Sequence, residues 1–378
     1  MNKNIALDEF ATRLRVRISS SASQGQGLIA EAEFGALAME LFSLQYERNT
    51  VYQAFCNARQ QRPETIRRWT EIPAVPTAAW KETEMTCLPA AERREVFHSS
   101  GTTEHRPSRH FHNSQSLSLY ESSLLEWFQT KVLTATEQNQ TTKPQLISLT
   151  PPPDQAPRSS LVYMLETLRR ERGSSESVFL GQVGADGAWH VDLPTANTLL
   201  RKSAAAGFPV IVLGTAFSFV HLADGLAEVG QRFALPLGSR AMETGGYKGR
   251  SRSLPCEELH SLIASRLGIG PAHIIREYGM SELSSQAYDT LDPIPGGDAN
   301  TQRHFHFPPW ARAEIISPET GKAVAEGETG LIRLYDLANV YSMMAIQTED
   351  LGVQRRDGFE LLGRATPAEP RGCSLQAA

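Results

Sequence analysis

Three short apolar runs rich in β-branched residues, separated by segments with helical spacing, constrain the fold of this chain most. In chain order the runs and the segments that follow them are 146–149 with 161–170, 210–213 with 219–229, and 273–275 with a loop at 278–279. Continuous apolar strands that alternate with helices are typical of a parallel sheet covered on both faces. The sequence therefore predicts an α/β fold with a mostly parallel sheet.

The regions on either side of these units have different patterns. Apolar residues recur at helical spacing between 34 and 55 and predict helices before the sheet. Short strands with intervening turn residues, from about residue 304 onward, predict a small antiparallel β subdomain. The predicted regions are a helical N-terminal part of the large domain (1–90), an α/β core (91–303), the small β subdomain (304–363, with strands at 313–316, 330–334 and 359–362) and a flexible tail that carries a cysteine (364–378).

Charge and hydropathy exclude several classes of protein. The formal net charge of −5 indicates no basic surface for nucleic acid. No stretch approaches the length of a membrane span, and the first ten residues lack the apolar segment of a secretory signal. We expect a cytoplasmic protein without a membrane span or a nucleic-acid partner. The four cysteines are far apart and are predicted to be reduced thiols: Cys56, Cys87, Cys256 and Cys373.

Two motifs with an apparent function are better explained otherwise. Residues 25–30 match G-x-G-x-x-A, but the preceding residues are polar, so the strand that a dinucleotide site requires is missing. His110 and His112, like His304 and His306, place two imidazoles two residues apart, yet no third ligand lies near, which favours core or solvated histidines over a metal site. The chain has no Walker-type phosphate loop, so phosphate binding requires another segment.

The first segment suited to phosphate follows the predicted strand 95–98. Ser99, Ser100, Gly101, Thr102 and Thr103 combine hydroxyl donors with a glycine that permits unusual backbone conformations. Successive backbone N–H groups in such a loop form an anion-binding concavity. The segment therefore predicts a phosphate site, although a polar turn would have the same composition.

Three later segments carry residues suited to the other parts of a nucleotide, namely the base, the ribose and a magnesium ion. Paired glycines after Thr244 let the backbone approach a flat ligand, and Tyr278 can stack on a base. A carboxylate at Glu282 suits magnesium, while Asp350 can accept both ribose hydroxyls. Each segment alone also fits a hairpin or a turn, and their order along the chain is the more specific signal. The candidate residues of these segments are Thr244, Gly245, Gly246, Tyr278, Gly279, Ser281, Glu282, Asp350 and Arg364.

In this order the segments resemble those of the adenylate-forming enzymes, and more narrowly the acyl-protein synthetases of bacterial bioluminescence (LuxE type), from about residue 90 to the end. The resemblance implies that the loop 99–103 holds the phosphates of ATP, and that Glu282 beside Ser281 binds Mg²⁺. It implies an adenine site at 244–246 with Tyr278, a ribose site at Asp350 and Arg364, and an acyl site in the same α/β core. Cys373 matches the cysteine that these synthetases acylate.

The chain departs from the family pattern at several positions. Glu104 stands where the phosphate loop usually has glycine, Glu349 replaces the glycine before Asp350, and Ser281 replaces threonine. Only residues 365–378 follow the hinge position at 363–364, where adenylate-forming ligases usually continue into a lid domain with a catalytic lysine. The predicted fold is thus the large N-terminal domain with a small antiparallel β subdomain and without the C-terminal lid.

The predicted reaction is the ATP-dependent activation of a carboxylic acid, expected to be a fatty acid, followed by thioester formation on Cys373. By resemblance the acyl group then passes to a partner protein such as an acyl reductase. Two alternatives stay open at this point: a ligase that delivers an aryl or small acid to coenzyme A or a carrier protein, and a nucleotide-binding protein without turnover. A homo-oligomer also stays open.

Overall fold

The computed structural model describes residues 5–23, 29–99, 106–133, 143–245, 254–291 and 303–365. The helices within these ranges are α1 (Ile5–Ser23), α2 (Glu31–Arg48), α3 (Thr50–Ala58), α4 (Ala79–Glu82), α5 (Ser114–Lys131), α6 (Ser160–Arg172), α7 (Leu193–Ala206), α8 (Ala216–Glu228) and α9 (Cys256–Leu267). The strands are β1 (Val75–Pro76), β2 (Glu95–His98), β3 (Arg109–His112), β4 (Gln145–Ser148), β5 (Val178–Phe179), β6 (Gly181–Val183), β7 (Trp189–Val191), β8 (Val210–Thr215), β9 (Arg240–Thr244), β10 (Ile274–Tyr278), β11 (Ala287–Leu291), β12 (Arg303–His306), β13 (Ala311–Ile316), β14 (Thr329–Asp336), β15 (Ala345–Arg355) and β16 (Gly358–Arg364).

One twelve-stranded sheet organises the described part of the chain. Its main order is β13-β14-β15-β16-β12-β11-β10-β9-β8-β4-β5, and β1 pairs with β15. The consecutive strands β5, β4, β8, β9 and β10 are parallel. The strands from β11 onward pair antiparallel along the main order. The predicted parallel sheet is therefore present, as the five-stranded half of a mixed sheet.

Helices cover both faces of the parallel half, as the continuous apolar runs predict. On one face, α5 and α6 contribute Phe128 and Leu165 to a core that includes Met242 and Ile275. On the other face, α7, α8 and α9 pack on the alternate strand residues, among them Ala241 and Ile274. Because successive strand residues point to opposite faces, a strand buried on both sides needs apolar residues at every position.

The N-terminal helices pack against the C-terminal strands. Gln45 of α2 is fully buried, and its amide nitrogen donates to the carbonyl oxygens of Asn339 and Val340 at 2.9 and 3.1 Å. The same core includes Phe10 of α1 and Tyr335 of β14. Since β16 pairs with β12, the predicted antiparallel strands continue the central sheet. The domain boundaries at 90, 303 and 363 stay predictions.

Several elements were not predicted from the sequence. Helices α7 and α9 were missed, and β9 was not predicted as a strand, because its residues were assigned to a nucleotide-binding segment with paired glycines, for which a hairpin turn was the alternative. All five residues of β9 are buried, including Arg240 and Glu243. Charged residues interrupt the apolar run that identifies a buried strand, so the pattern did not predict this one. No helix in the described ranges has the length and apolar character needed to cross a membrane.

Candidate active site

The predicted nucleotide-binding residues that the structure describes come together at the carboxyl edge of the parallel strands. β9 ends at Thr244 and β10 at Tyr278, and the register pairs Glu277 with Thr244. Ligands of open α/β sheets bind in the crevice outside this edge. Gly245 and Gly279 follow these strand ends directly. Six predicted site residues lie outside the described residues: Ser100, Gly101, Thr102, Thr103, Gly246 and Cys373.

The two ends of the predicted phosphate loop are tied together. Strands β2 and β3 form an antiparallel pair. Beyond their ends the Ser99 amide donates to the Ser108 carbonyl at 3.3 Å, and the Ser99 hydroxyl accepts from the Ser108 amide at 2.9 Å. The Ser108 hydroxyl lies 3.2 Å from that of Ser281, 173 residues further along the chain. The base of the loop therefore sits on the segment that carries Glu282.

Glu282 is a buried carboxylate within a group of hydroxyls. The Ser281 hydroxyl donates to it at 3.0 Å, and the two residues are 6% and 5% exposed. Asn339 donates its side-chain amide to the Glu282 carbonyl oxygen at 2.9 Å and fixes the backbone there. Hard carboxylate and hydroxyl oxygens are the donors that Mg²⁺ prefers, so the donor set fits that ion.

His110 supports the same segment from β3. Its Nδ1 lies 2.8 Å from the Ser281 carbonyl oxygen, which only accepts, so Nδ1 carries the proton. Burial lowers the pKa of His110 to about 4, with the hydrogen bond to Ser281 opposing the shift, and the ring is neutral at neutral pH. Burial also lowers the pKa of His112, whose ring centroid lies 4.1 Å away. Both are buried in the core, one of the two outcomes that the absence of a third metal ligand favoured. The hydrogen bond from His110 to the Ser281 carbonyl oxygen was not predicted.

The predicted ribose residues form a second cluster. The Tyr278 hydroxyl donates to Asp350 Oδ2 at 2.8 Å. The Arg364 Nε lies 3.7 Å from Asp350 Oδ1, and the sheet register pairs these two residues. Burial raises the pKa of Asp350, while the Tyr278 hydrogen bond and the Arg364 charge oppose that rise. Tyr278, expected to stack on adenine, is thus anchored through its hydroxyl to Asp350.

Glu277 lies within the candidate site and was not predicted as a site residue from the sequence. It is 7% exposed, and its carboxylate accepts a hydrogen bond from the Thr244 hydroxyl. Burial raises the pKa of Glu277 to about 7, with the Thr244 hydrogen bond opposing the shift. A Cβ at Gly279 would overlap the same carboxylate, so only glycine fits there without displacing it. The only feature of the sequence that could have identified Glu277 was its position directly before Tyr278.

Glu277 predicts a specific pH dependence of folding stability. A carboxyl whose folded pKa is raised stabilises the fold below its unfolded pKa of 4.5 and loses that contribution as the pH rises to about 7. At about 1.4 kcal/mol per pKa unit the loss is roughly 3 kcal/mol. We expect urea unfolding at pH 5.0 and 7.5 to show most of this loss for the parent but not for Glu277→Gln, since pH 5.0 already lies above the unfolded pKa. Subtracting the unfolding free energy of the variant from that of the parent removes the contribution of all titratable groups that the two proteins share. If the unfolding free energies of both proteins changed equally with pH, the assignment would be contradicted.

The fold is similar to that of 2-hydroxyisobutyryl-CoA ligase. A structure of 2-hydroxyisobutyryl-CoA ligase with 2-HIB-AMP and CoA in the thioesterification state matches with a TM-score of 0.63 at 14% identity, over 89% of this chain and 69% of the other. An open conformation of the same enzyme matches with a TM-score of 0.62 at 13% identity, over 88% and 69%. At such identities the likeness concerns the fold alone.

The chain belongs to the acyl-protein synthetase family, LuxE, whose profile matches residues 30–378. It is similar to the long-chain-fatty-acid–luciferin-component ligase of Aliivibrio fischeri, with 22% identity over 359 residues, 90% of this chain and 87% of that protein. The ligase of the same name from Vibrio harveyi is 20% identical over 349 residues, 88% and 84% of the two chains. The chain is accordingly an enzyme, an acid–thiol ligase of the acyl-protein synthetase type.

Proposed function

We propose that this protein activates a fatty acid with ATP and transfers the acyl group to its own Cys373 for delivery to a partner protein. The observation that carries the activation step is the contact of Ser108 with Ser281 at 3.2 Å, which joins the base of the loop 99–108 to Glu282. A phosphate-binding loop and a buried carboxylate act on one polyphosphate only if they are neighbours. The described base of the loop and the segment that carries Glu282 are neighbours here, although 173 residues separate the two serines.

The nucleotide lies across the carboxyl edge of the sheet in this proposal. The loop 99–103 holds the phosphates, 244–246 and Tyr278 border the adenine, and Asp350 with Arg364 holds the ribose. Glu282, with the hydroxyl of Ser281 beside it, holds Mg²⁺, which neutralises charge on the phosphates when it is bound. The substrate carboxylate attacks the α-phosphorus of ATP, and the bond to pyrophosphate breaks. Directed donors that stabilise the developing charge are commonly worth ~10²–10³ in rate.

The ribose assignment predicts a loss of nucleotide affinity. Asp350→Ala removes the acceptor for both ribose hydroxyls, and hydrogen bonds to a charged group are worth about 1.5–3 kcal/mol. We expect ATP affinity to fall by roughly ten- to a hundredfold, since ~1.4 kcal/mol is a factor of ten. Calorimetry with ATP measures the change. Tyr278→Phe is the matched control, because it removes the donor to Asp350 but leaves the carboxylate in place. An unchanged affinity in Asp350→Ala would refute the assignment.

The thioester step rests on the position from which the C-terminal segment departs. The Ala365 amide donates to the Glu349 carbonyl oxygen at 2.9 Å, beside the proposed ribose site. From Arg364 to Cys373 an extended chain reaches at most about 30 Å at ~3.3–3.6 Å per residue. That reach is sufficient for the thiol to enter the adenylate site and to leave it. Attack of the sulfur on the acyl carbonyl forms the thioester and releases AMP.

The names of the relatives support the proposed acid class and an acyl-accepting partner. Both similar ligases are named for long-chain fatty acids and a luciferin component, which supports a fatty acid substrate and a protein recipient, for which we propose an acyl reductase. A pyrophosphate-release screen with fatty, aryl and amino acids tests the substrate class. Release with aryl or small acids alone, together with efficient transfer to free coenzyme A, would favour the small-acid ligase. No release with any acid would favour a nucleotide-binding protein without turnover.

A further inference from the structure

A second group of reactive side chains lies on the opposite face of β9 from Thr244. Glu243 Oε1 is 3.6 Å from His260 Nε2. Cys256 Sγ is 3.6 Å from the same nitrogen. Glu243 and His260 are buried at 5% and 6% exposure, and Cys256 is partly exposed. A carboxylate and the thiol of a partly exposed cysteine therefore meet at one nitrogen of a buried imidazole.

Secondary structure explains why these three groups meet. Cys256 is the first residue of α9, and His260 follows four residues later on the same helix face. Glu243 is the residue before the last in β9, so the group lies near the carboxyl edge of the sheet. The positive end of a helix dipole favours an anion at such a terminal residue.

The charged groups around this cluster come from three further strands. Arg276 of β10 places its Nε 3.2 Å from Glu243 Oε1. Asp289 of β11 accepts a hydrogen bond from the Arg276 amide and lies 3.2 Å from Arg303 of β12. Burial disfavours an isolated charge at any of these positions. Here each charged group lies next to one of opposite sign, which offsets the cost of burying it. The cluster is therefore a network of paired charges in which the sulfur occupies one end.

We propose that Cys256 is a second nucleophilic thiol, with the protonated His260 ring as the charge partner of the sulfur and Glu243 as the carboxylate that holds that ring in place, and that soft carbon electrophiles modify the sulfur covalently. In this step the sulfur forms a bond to the electrophilic carbon, the leaving group departs with its electron pair, and the thiol proton is released to water. With iodoacetamide the carbon–iodine bond breaks and iodide is released. The inference is independent of which thiol accepts the fatty acyl group.

The protonation of His260 agrees with this arrangement. Burial opposes the charged imidazole, but the hydrogen bonds and charges of Cys256 and Glu243 outweigh burial and raise the pKa of His260 to about 9. The ring therefore stays protonated at neutral pH beside the sulfur. An imidazolium next to a cysteine is the arrangement that activates thiols in many enzymes.

A metal centre is the competing explanation of the same three residues. Glu243, Cys256 and His260 offer ligand atoms within 4.8 Å of one another, a spacing that also suits zinc. Arg276, however, already faces the Glu243 oxygen that lies nearest to His260. The contacts favour the nucleophilic thiol.

The test measures alkylation of Cys256 in the full-length chain. Cys373→Ala removes a thiol outside the described residues, while burial raises the pKa of Cys56 to about 11 and of Cys87 to about 12, which makes both slow. Iodoacetamide labelling followed by peptide mass spectrometry then reports on Cys256. An ordinary thiol with a pKa near about 8.5 reacts about tenfold faster per pH unit in the acid range. We expect the rate at Cys256 to change less than about twofold between pH 6.5 and 7.5.

Two variants separate this chemistry from mere exposure. His260→Gln should slow labelling at pH 7 by about tenfold or more and restore the steep pH dependence of an ordinary thiol. Glu243→Gln should shift the pH profile, as expected of a positioning residue, with circular dichroism checking that each variant is folded. A steep pH dependence at Cys256 without any further mutation would overturn the proposal. So would one equivalent of Zn²⁺ that survives dialysis and is lost in Cys256→Ser, which would identify a metal centre.

Discussion

Glu282→Gln is expected to slow pyrophosphate release by ~10²–10³ while the protein stays folded. A bound metal ion supplies several kcal/mol of charge stabilisation, and each ~1.4 kcal/mol corresponds to a factor of ten in rate. Glutamine has nearly the same shape and can still accept the hydrogen bond from the Ser281 hydroxyl. The backbone contact from Asn339 to the Glu282 carbonyl oxygen does not involve the side chain. The charge alone is therefore removed.

The decisive measurements are pyrophosphate release with saturating acid and the Mg²⁺ dependence of ATP binding by calorimetry. The second readout separates a lost metal ligand from a general defect, because only the former weakens the effect of Mg²⁺ on nucleotide affinity. Glu319→Gln is a matched control that removes a charge from an exposed turn. Normal pyrophosphate release in a folded Glu282→Gln variant would show that another residue holds the metal.

Cys373→Ala is expected to abolish the covalent acyl-enzyme while leaving acid activation intact. Adenylate formation requires no thiol, so the variant should still release pyrophosphate with acid and ATP. Thioester formation requires the sulfur, because a methyl group offers no nucleophile for the mixed anhydride. The label from a radioactive fatty acid that hydroxylamine can remove should thus fall to background in the variant. Mass spectrometry of the trapped parent should find the acyl group on Cys373.

The matched control for this experiment is Cys256→Ala, which should retain the acyl label. Cys56 and Cys87 are buried, so neither is accessible to the adenylate in the folded chain. An acyl group found on any of these three cysteines would reject Cys373 as the acceptor. Absence of any acyl-enzyme together with efficient transfer to free coenzyme A would instead indicate the small-acid ligase.

Local sequence patterns predicted the elements that carry continuous apolar residues. The strand predicted at 95–98 coincides with β2, and the helix predicted at 161–170 lies within two residues of α6 at both ends. These elements are identifiable because hydrophobic periodicity is a property of adjacent residues. The pattern failed for β9, where Arg240 and Glu243 are buried in a network with residues far away in the sequence.

Some residues of the candidate nucleotide site could likewise be predicted from the sequence, and others could not. Residues with distinctive chemistry in an ordered series of motifs, such as Tyr278, Glu282 and Asp350, were predicted as candidates from the sequence. Glu277 and His110 were not, since a glutamate and a histidine have many ordinary roles. What distinguishes them is burial beside Thr244 and Ser281, which pushes their pKa values to about 7 and about 4.

The sequence by itself therefore determined the α/β class, the family resemblance and the identities of the nucleotide-site candidates. Tertiary structure alone decided which of these candidates touch, as with Ser108 and Ser281 across 173 residues. It also brought Glu243 to within 3.6 Å of His260. The physical reason is that periodicity and motifs act over a few residues, whereas burial, charge pairing and hydrogen bonding depend on neighbours that the sheet topology selects.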